Sequence, residues 1–314
     1  MAKKKAAKYL WVEKFRPVSV KDAVLPNKFK KFFNDVVAQE EIPNLLLYSS
    51  TPGSGKTSIA KALCNEINAD SIYINVSSES GIDTLRSTIQ QFASTKSFNK
   101  RPKVVILDEA DGASHQLQAG LRGFIEEFHS YCRFILTCNY VSKIIPALRE
   151  GRIMEFDFNI KDIATSNEMK PKMAKRLAMI AKFEGVEADE KVLQKLVITH
   201  YPNMRKMIST MQKASMMFGS IDESLFNSMN VDSELYDHIL NKRFTKAREF
   251  IIKSSYNMDE LYPALYREFV PLLNDKNVQA QLILILADYQ SKHATAIDGE
   301  LNISACILEM IGAI

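Results

Sequence analysis

Cysteine is scarce and unpatterned in this chain. Its 314 residues hold four, Cys64, Cys132, Cys138 and Cys306, with no C-x-x-C pair and no regular spacing. That excludes a thiolate zinc module and a disulfide framework, and it fits a reducing cytoplasm. Long apolar runs are missing too: QLILILAD (281–288) and ISACILEMIGAI (303–314) are the most apolar stretches. Both fall short of the ~20 residues of a membrane-spanning helix, so they are expected as buried helices, with no membrane partner. Neither an internal repeat nor a low-complexity segment is present. Charge of neither sign dominates, with 41 Lys and Arg against 37 Asp and Glu. Part of the small surplus is Lys3, Lys4, Lys5 and Lys8 in MAKKKAAK. With no apolar run after it, this start is expected as a solvated or phosphate-grazing tail and not as a secretory signal.

A core, by contrast, is well supplied. At 46% hydrophobic and 25% charged residues, a chain of this length buries a sizeable interior and is expected to divide into two or three domains.

The phosphate-loop pattern G-x-x-x-x-G-K-[ST] is met at residues 50–57 except at its first letter, where Ser50 stands for glycine. The flanks supply the context the pattern needs. NLLLYSS (44–50) is a short apolar run typical of a buried parallel strand, and KTSIAKALCNEI (56–67) carries Ile59, Ala60, Leu63 and Ile67 at helical spacing. In a strand–loop–helix unit, Gly53 and Gly55 let backbone N–H groups turn inward around phosphates, with Ser54 and Ser58 beside them. Lys56 reaches the β and γ phosphates, and Thr57 offers its hydroxyl to Mg²⁺.

KVVILDEAD (103–111) places Asp108 and Glu109 at the carboxyl end of a second buried strand, the edge at which open α/β sheets bind ligands. Asp108 is suited to hold Mg²⁺ and Glu109 to polarise an attacking water. A third strand, RFILTCN (133–139), ends in Asn139, a neutral amide able to orient water or touch the γ phosphate; an asparagine there also reads as a turn residue.

The segments WVEKFRP (11–17), SGKT, ILDEAD, QLQAGLRGFIEEF (116–128), TCN and NMRKM (203–207) follow one another in the order that resembles AAA+ sliding-clamp loaders. The match is to the replication factor C small subunits, and the serine-opened phosphate loop resembles that of the ATPase subunit of T-even-type bacteriophage clamp loaders. The resemblance implies an α/β AAA+ P-loop domain over 1–158, a helical lid over 159–228 and an all-helical collar over 229–314. It implies ATP and Mg²⁺ as cofactors. Val12, Glu13, Lys14 and Phe15, with Val24, would lie against adenine and ribose as an extended segment. Arg205 would sense the γ phosphate from the lid. An arginine reaching into the neighbouring subunit's site is implied as well. In PALREGRIMEF, Arg152 aligns with it, with Gly151 and Ile153 for the usual serine and cysteine, and Arg149 is the rival.

The implied partners are a sliding clamp, primer-template DNA without sequence preference, further copies of the chain, a separate small clamp-loader subunit and the DNA polymerase holoenzyme. The implied place is the cytoplasm, the host's if the protein is viral. Helices starting near SESGID (78–83) and ASHQLQ (113–118) would offer N–H groups to DNA phosphates. Lys96, Lys100 and Arg101 either join them or form a solvated loop. Gln118 and Arg122 either couple neighbouring subunits and DNA to the ATP site or form a polar helix face. The lid methionines at 173, 179, 204, 207, 211, 216 and 217 are expected as packing filler. Intact Lys56, Asp108 and Glu109 favour a working motor over a decayed assembly subunit, and WVEKFRP with a helical third domain disfavours a branch-migration ATPase.

Overall fold

The computed structural model describes residues 9–77, 82–95, 101–160, 162–223, 225, 231–254 and 258–314. The expected features at Lys3, Lys4, Lys5, Lys8, Lys96 and Lys100, and residues 78–81 of the first proposed DNA-facing helix start, lie outside them. The chain forms two compact units, Met1–Asp222 and Glu223–Ile314.

The first unit is built on five parallel strands: β1 (Leu45–Tyr48), β2 (Asp70–Asn75), β3 (Lys103–Asp108), β4 (Cys132–Cys138) and β5 (Met154–Asp157), in the order β2-β3-β4-β1-β5. Alternation along each strand divides the core between two faces. Leu46, Val105, Leu107, Phe134 and Leu136 pack with Leu85, Ile89, Leu117 and Leu121 on one face. Leu45, Leu47, Val104, Ile106 and Ile135 pack with Phe33, Val36, Ile59 and Leu63 on the other. Those partners come from α1 (Asn27–Gln39), α2 (Lys56–Glu66), α3 (Ile82–Ser94) and α4 (His115–Glu127). From β1 the chain crosses to the far edge at β2, returns through β3 and β4, and places β5 on the other flank of β1. The order reverses at β1, which is where a crevice opens at the carboxyl ends of the strands.

Three helices follow: α5 (Ile163–Glu184), α6 (Glu190–His200) and α7 (Met204–Phe218). Side chains of Asp162, Asp189 and Asn203 cap their first turns, and Gly185 and Gly219 close α5 and α7 in the left-handed conformation. Caps of this kind satisfy the end N–H and C=O groups that a helix leaves unpaired. Met173, Met207 and Met211 do fill this core, but Met179, Met216 and Met217 are each more than half exposed, against the expectation of packing filler.

A second departure is WVEKFRP. Instead of running extended, Trp11–Lys14 form one helical turn in which Leu10 O accepts from Glu13 N and Lys14 N. The buried ring of Trp11 anchors the turn.

The second unit is all helix in its described residues: α8 (Val231–Leu240), α9 (Phe244–Ser254), α10 (Met258–Ala264), α11 (Lys276–His293) and α12 (Gly299–Ala313). The apolar stretch LYPALYREFVPLL (261–273), which by sequence pattern reads as an apolar helix, is not one helix. After α10 it passes through a π turn, Leu265–Phe269, and a 3-10 turn, Val270–Leu272. Pro263 and Pro271 account for the break, because each lacks the N–H that a regular α-helical ladder requires. Leu235, Ile239, Leu261, Leu265, Phe269, Leu282, Leu286, Ile303, Ile307 and Met310 make the core.

Candidate active site

The loop between β1 and α2 turns through Gly53 at φ 72° and Gly55 at φ 97°, a region in which a Cβ is strained. Gly53 is constrained twice over. A Cβ there would stand 2.1 Å from Asn203 Oδ1 and 2.9 Å from Arg205 Cβ, so the start of α7 lies directly on the loop.

Ser50 needs no glycine-like backbone, since it is absent from the positive-φ positions. Its backbone N and its hydroxyl both donate to Asn159 Oδ1, at 2.8 and 2.7 Å. The letter that departs from the pattern ties the loop entrance to the segment after β5.

Lys56 opens α2 and is only 8% exposed. Its ammonium donates to Ser49 O and Asn139 Oδ1, both at 3.1 Å. Burial lowers its pKa, and the groups nearest it are neutral oxygens. A desolvated cation so held has much to gain from an anion.

Asp108 closes β3 and accepts three hydroxyls. Thr57 Oγ1 and Thr137 Oγ1 donate to Oδ1, the former at 2.7 Å, and Tyr73 donates to Oδ2 at 2.5 Å. Burial pushes its carboxyl up, but the bonds from Thr137, Tyr73 and Thr57 prevail and hold it below its ordinary value. It is therefore an ionised carboxylate beside a loop hydroxyl, a donor pair that suits Mg²⁺, which takes one or two protein oxygens and completes its shell with phosphate and water. Glu109 is in the left-handed conformation at φ 55°, a local strain found where side chains must be aimed. Its carboxylate accepts the Ser77 hydroxyl, and its N–H donates to Thr137 Oγ1 at 3.3 Å.

These neighbours were not legible in the sequence. Tyr73 and Ser77 sit in and after β2, with no motif of their own, and reach the acids only because β2 pairs with β3. Asp111, third acid of the LDEAD run, accepts from the N–H groups of Asn139 at 3.2 Å and Tyr140 at 3.0 Å, fixing the backbone that presents Asn139. Cys138 faces the same space, but burial pushes its thiol up to about 12, so it stays protonated and inert.

One cavity of about 370 Å³ gathers Val12, Phe15, Val24, Gly53, Ser54, Gly55, Lys56, Thr57, Ser58, Asp108, Glu109, Asn139 and Arg205. Of the expected adenine-side residues, Glu13 and Lys14 do not line it. The helical turn rotates them away, and their side chains pair with Arg16 and with Glu184, each at 2.6 Å. Arg176 and Met173 of α5 and Ile208 of α7 line the cavity without having been expected there.

Arg152 lies apart from this cavity. Its guanidinium donates to Glu126 Oε1 at 2.6 and 2.8 Å and to the carbonyls of Ala147 and Glu150. The preceding Gly151 has φ 69°, which accounts for glycine where the resemblance leads one to expect serine. Arg149 is engaged by Glu155 through two bonds of 2.8 Å.

Gln118 is buried rather than part of a polar face. Its amide donates to Ala113 O and Lys143 O and accepts from Ile145 N at 2.8 Å. It rivets α4 to the segment leading to Arg149 and Arg152. Arg122 is half exposed and pairs with Glu126 at 3.5 Å. Ser114 caps α4 through Leu117 N, and Arg101 is exposed.

Residues 45–161 match the AAA family, ATPases associated with various cellular activities, and residues 165–227 match the AAA+ ATPase lid domain of the sliding-clamp-loader large subunit. The sliding-clamp-loader large subunit of Enterobacteria phage T4 is 31% identical over 307 residues, 95% of this chain and 94% of that protein. The replication factor C small subunit of Archaeoglobus fulgidus is 32% identical, over 87% of this chain and 88% of its own length. Among solved structures, a point variant of Thermotoga maritima RuvB superposes with a TM-score of 0.52 over 79% of this chain and 87% of its own, at 14% identity, a likeness of fold alone. Because the match to the phage protein extends over 95% of this chain and both family models fall within it, the chain belongs to the sliding-clamp-loader family of AAA ATPases.

Proposed function

We propose that this ATP hydrolase is the motor subunit of a clamp loader. With ATP bound between copies of the chain, the assembly opens a ring-shaped sliding clamp and admits primer-template DNA, and hydrolysis releases the closed clamp. The observation that carries the proposal is the 31% identity to a clamp-loader large subunit along 95% of the chain, joined to a cavity on which loop, acids and lid converge.

Within that cavity, Gly53, Ser54, Gly55 and Ser58 cradle the phosphates and Lys56 neutralises them. Val12, Phe15 and Val24 cover the adenine side. Thr57 and Asp108 hold Mg²⁺, which supplies charge neutralisation to the phosphates when bound. Glu109 takes the proton of the attacking water once released from Ser77, and Asn139 orients that water. Arg205 registers the γ phosphate from the lid. Arg152 completes a neighbouring copy's site, delivering positive charge where negative charge develops in phosphoryl transfer. The remaining proposed partners are a small clamp-loader subunit and the DNA polymerase holoenzyme. DNA is held through its backbone, by helix starts such as that of α4, without base readout.

The test is the steady-state ATPase rate with clamp alone, primed DNA alone, and both. Stimulation by both together is expected. A rate that responds to DNA and ignores the clamp would favour another AAA+ DNA motor, such as a branch-migration ATPase. A chain that binds ATP yet turns none over in a complete assembly would be a non-catalytic subunit.

A further inference from the structure

The adenine-side segment is suspended between two bodies of the first unit. On the sheet side, Val20 N donates to Glu66 Oε2 at 2.7 Å, and Val20, Ala23 and Leu25 are buried against the α1 and α2 face. On the lid side it is tied along its length. Arg176 donates to Phe15 O at 3.0 Å, Lys14 pairs with Glu184, and the Phe15 ring meets Phe183 edge-on at 5.3 Å. These ties are partly exposed, and exposed ion pairs contribute little.

One tie differs in kind. Gln212, on α7 two turns beyond Arg205, is 8% exposed. Its Nε2 donates to Tyr9 O at 2.8 Å and its Oε1 accepts from Trp11 N at 3.0 Å. A single amide thus pairs with one backbone acceptor and one backbone donor, as a neighbouring strand would. A buried amide is costly unless satisfied, and so are the two backbone groups it serves.

We propose that Gln212 is a positioning residue that latches the segment Tyr9–Phe15 to the lid and thereby sets nucleotide affinity. The inference rests on the reading of this cavity as the ATP site. Because Gln212 and Arg205 share α7, a lid drawn down on the γ phosphate carries the adenine-side wall with it. The two ends of the nucleotide are then felt through one helix. Val12 and Phe15 line the cavity one and four residues beyond the latched Trp11, so an unlatched segment leaves the base without its cover.

The chain's one tryptophan is Trp11, which makes the latch observable without turnover. Full-length wild type, Gln212→Leu, Gln212→Glu and Lys56→Ala would be compared by titration with a fluorescent ATP analogue and Mg²⁺, by acrylamide quenching of Trp11, and by kcat and KM in the presence of primed DNA. Gln212→Leu removes both bonds. It is expected to weaken nucleotide binding about tenfold, with the loss in KM rather than kcat, and to expose Trp11 to quencher. Gln212→Glu can still accept from Trp11 N but cannot donate to Tyr9 O, and is expected to lose about threefold. The proposal is overturned if Gln212→Leu binds nucleotide like wild type, or if it loses kcat while KM and Trp11 shielding stay the same. Should Gln212→Leu fail to fold, wild-type affinity in Gln212→Glu overturns it equally. Wild-type binding by Lys56→Ala would instead overturn the ATP-site reading itself.

Discussion

The two units of this chain differ in the polar groups they bury. In the first, polar groups are carried inside: Ser49, Lys56, Lys103, Asp108, Gln118, Thr137 and Gln212 are all buried, whereas Ser304 is the one such residue in the second among those described. Large apolar side chains reach solvent in both, Ile163, Phe183 and Ile198 in the first and Leu284, Ile297 and Leu301 in the second. A buried polar group costs stability unless it is fully paired, so its retention marks a place where geometry matters more than stability. Apolar groups exposed singly are ordinary, and only where they form a contiguous patch do they mark a face that other protein can cover. The buried polar groups place the candidate chemistry in the first unit, and self-association through the second is a proposal that the variants below test.

The largest effects should come from the polar groups proposed for catalysis in the first unit. Glu109→Gln is expected to bind ATP normally and lose about 10²–10⁴ in kcat, since it removes a proton acceptor and little ground-state binding. Equal losses in binding and turnover, measured by nucleotide titration beside single-turnover hydrolysis, would move Glu109 from chemistry to structure. Close behind is Arg152→Ala, expected to lose about 10³ in turnover while binding its own ATP like wild type. In mixed assemblies that defect should fall on the neighbouring copy's site. If Arg149→Ala carries the full loss and Arg152→Ala carries none, the assignment between the two belongs the other way.

The second unit sharpens the comparison from its own side. Phe269→Ala, in its core, should cost about 3–5 kcal/mol in chemical denaturation. Leu284→Glu, on an exposed face, should stay within about 0.5 kcal/mol and yet weaken self-association in sedimentation. A Leu284→Glu protein that assembles like wild type would remove the association role from that face.

The smallest effect is electrostatic. The Lys172 ammonium 2.5 Å away, and the Asn27 N–H, hold the Glu168 carboxyl below its ordinary value of 4.5. A depressed folded-state value means that the stabilisation is complete above 4.5 and is lost as pH falls through the lower folded value. Glu168→Gln should therefore be slightly less stable than wild type near neutrality, with the difference closing on the acid side in urea melts. A constant gap across pH 3–7 would show that Glu168 acts through packing instead.

What was legible beforehand followed from contiguity. A phosphate is bound by consecutive backbone N–H groups, so Gly53, Gly55, Lys56 and Thr57 announce themselves in one run. A buried parallel strand is a short apolar run, so β1, β3 and β4 could be read, with Asp108 closing β3 and Asn139 directly following β4. Local pattern failed where proline intervened, at Pro263 and Pro271, and where a short segment chose between extended and helical forms, at Trp11–Lys14. There the choice depended on what the Trp11 ring could bury against, which no window of sequence contains.

By itself, then, the sequence determined the strand–loop–helix unit, the acid-tipped strand, the all-helical end and the family resemblance, because each is a matter of residues adjacent along the chain. Only the tertiary structure decided that Ser50 is answered by Asn159, Asp108 by Tyr73, Glu109 by Ser77, Arg152 by Glu126 and the segment at Trp11 by Gln212, 201 positions away. Those partnerships join strands, loops and helices that only the sheet order and the docked lid bring together. A hydrogen bond or ion pair has no reach beyond a few ångströms, so its partner cannot be known until the backbone has closed the distance.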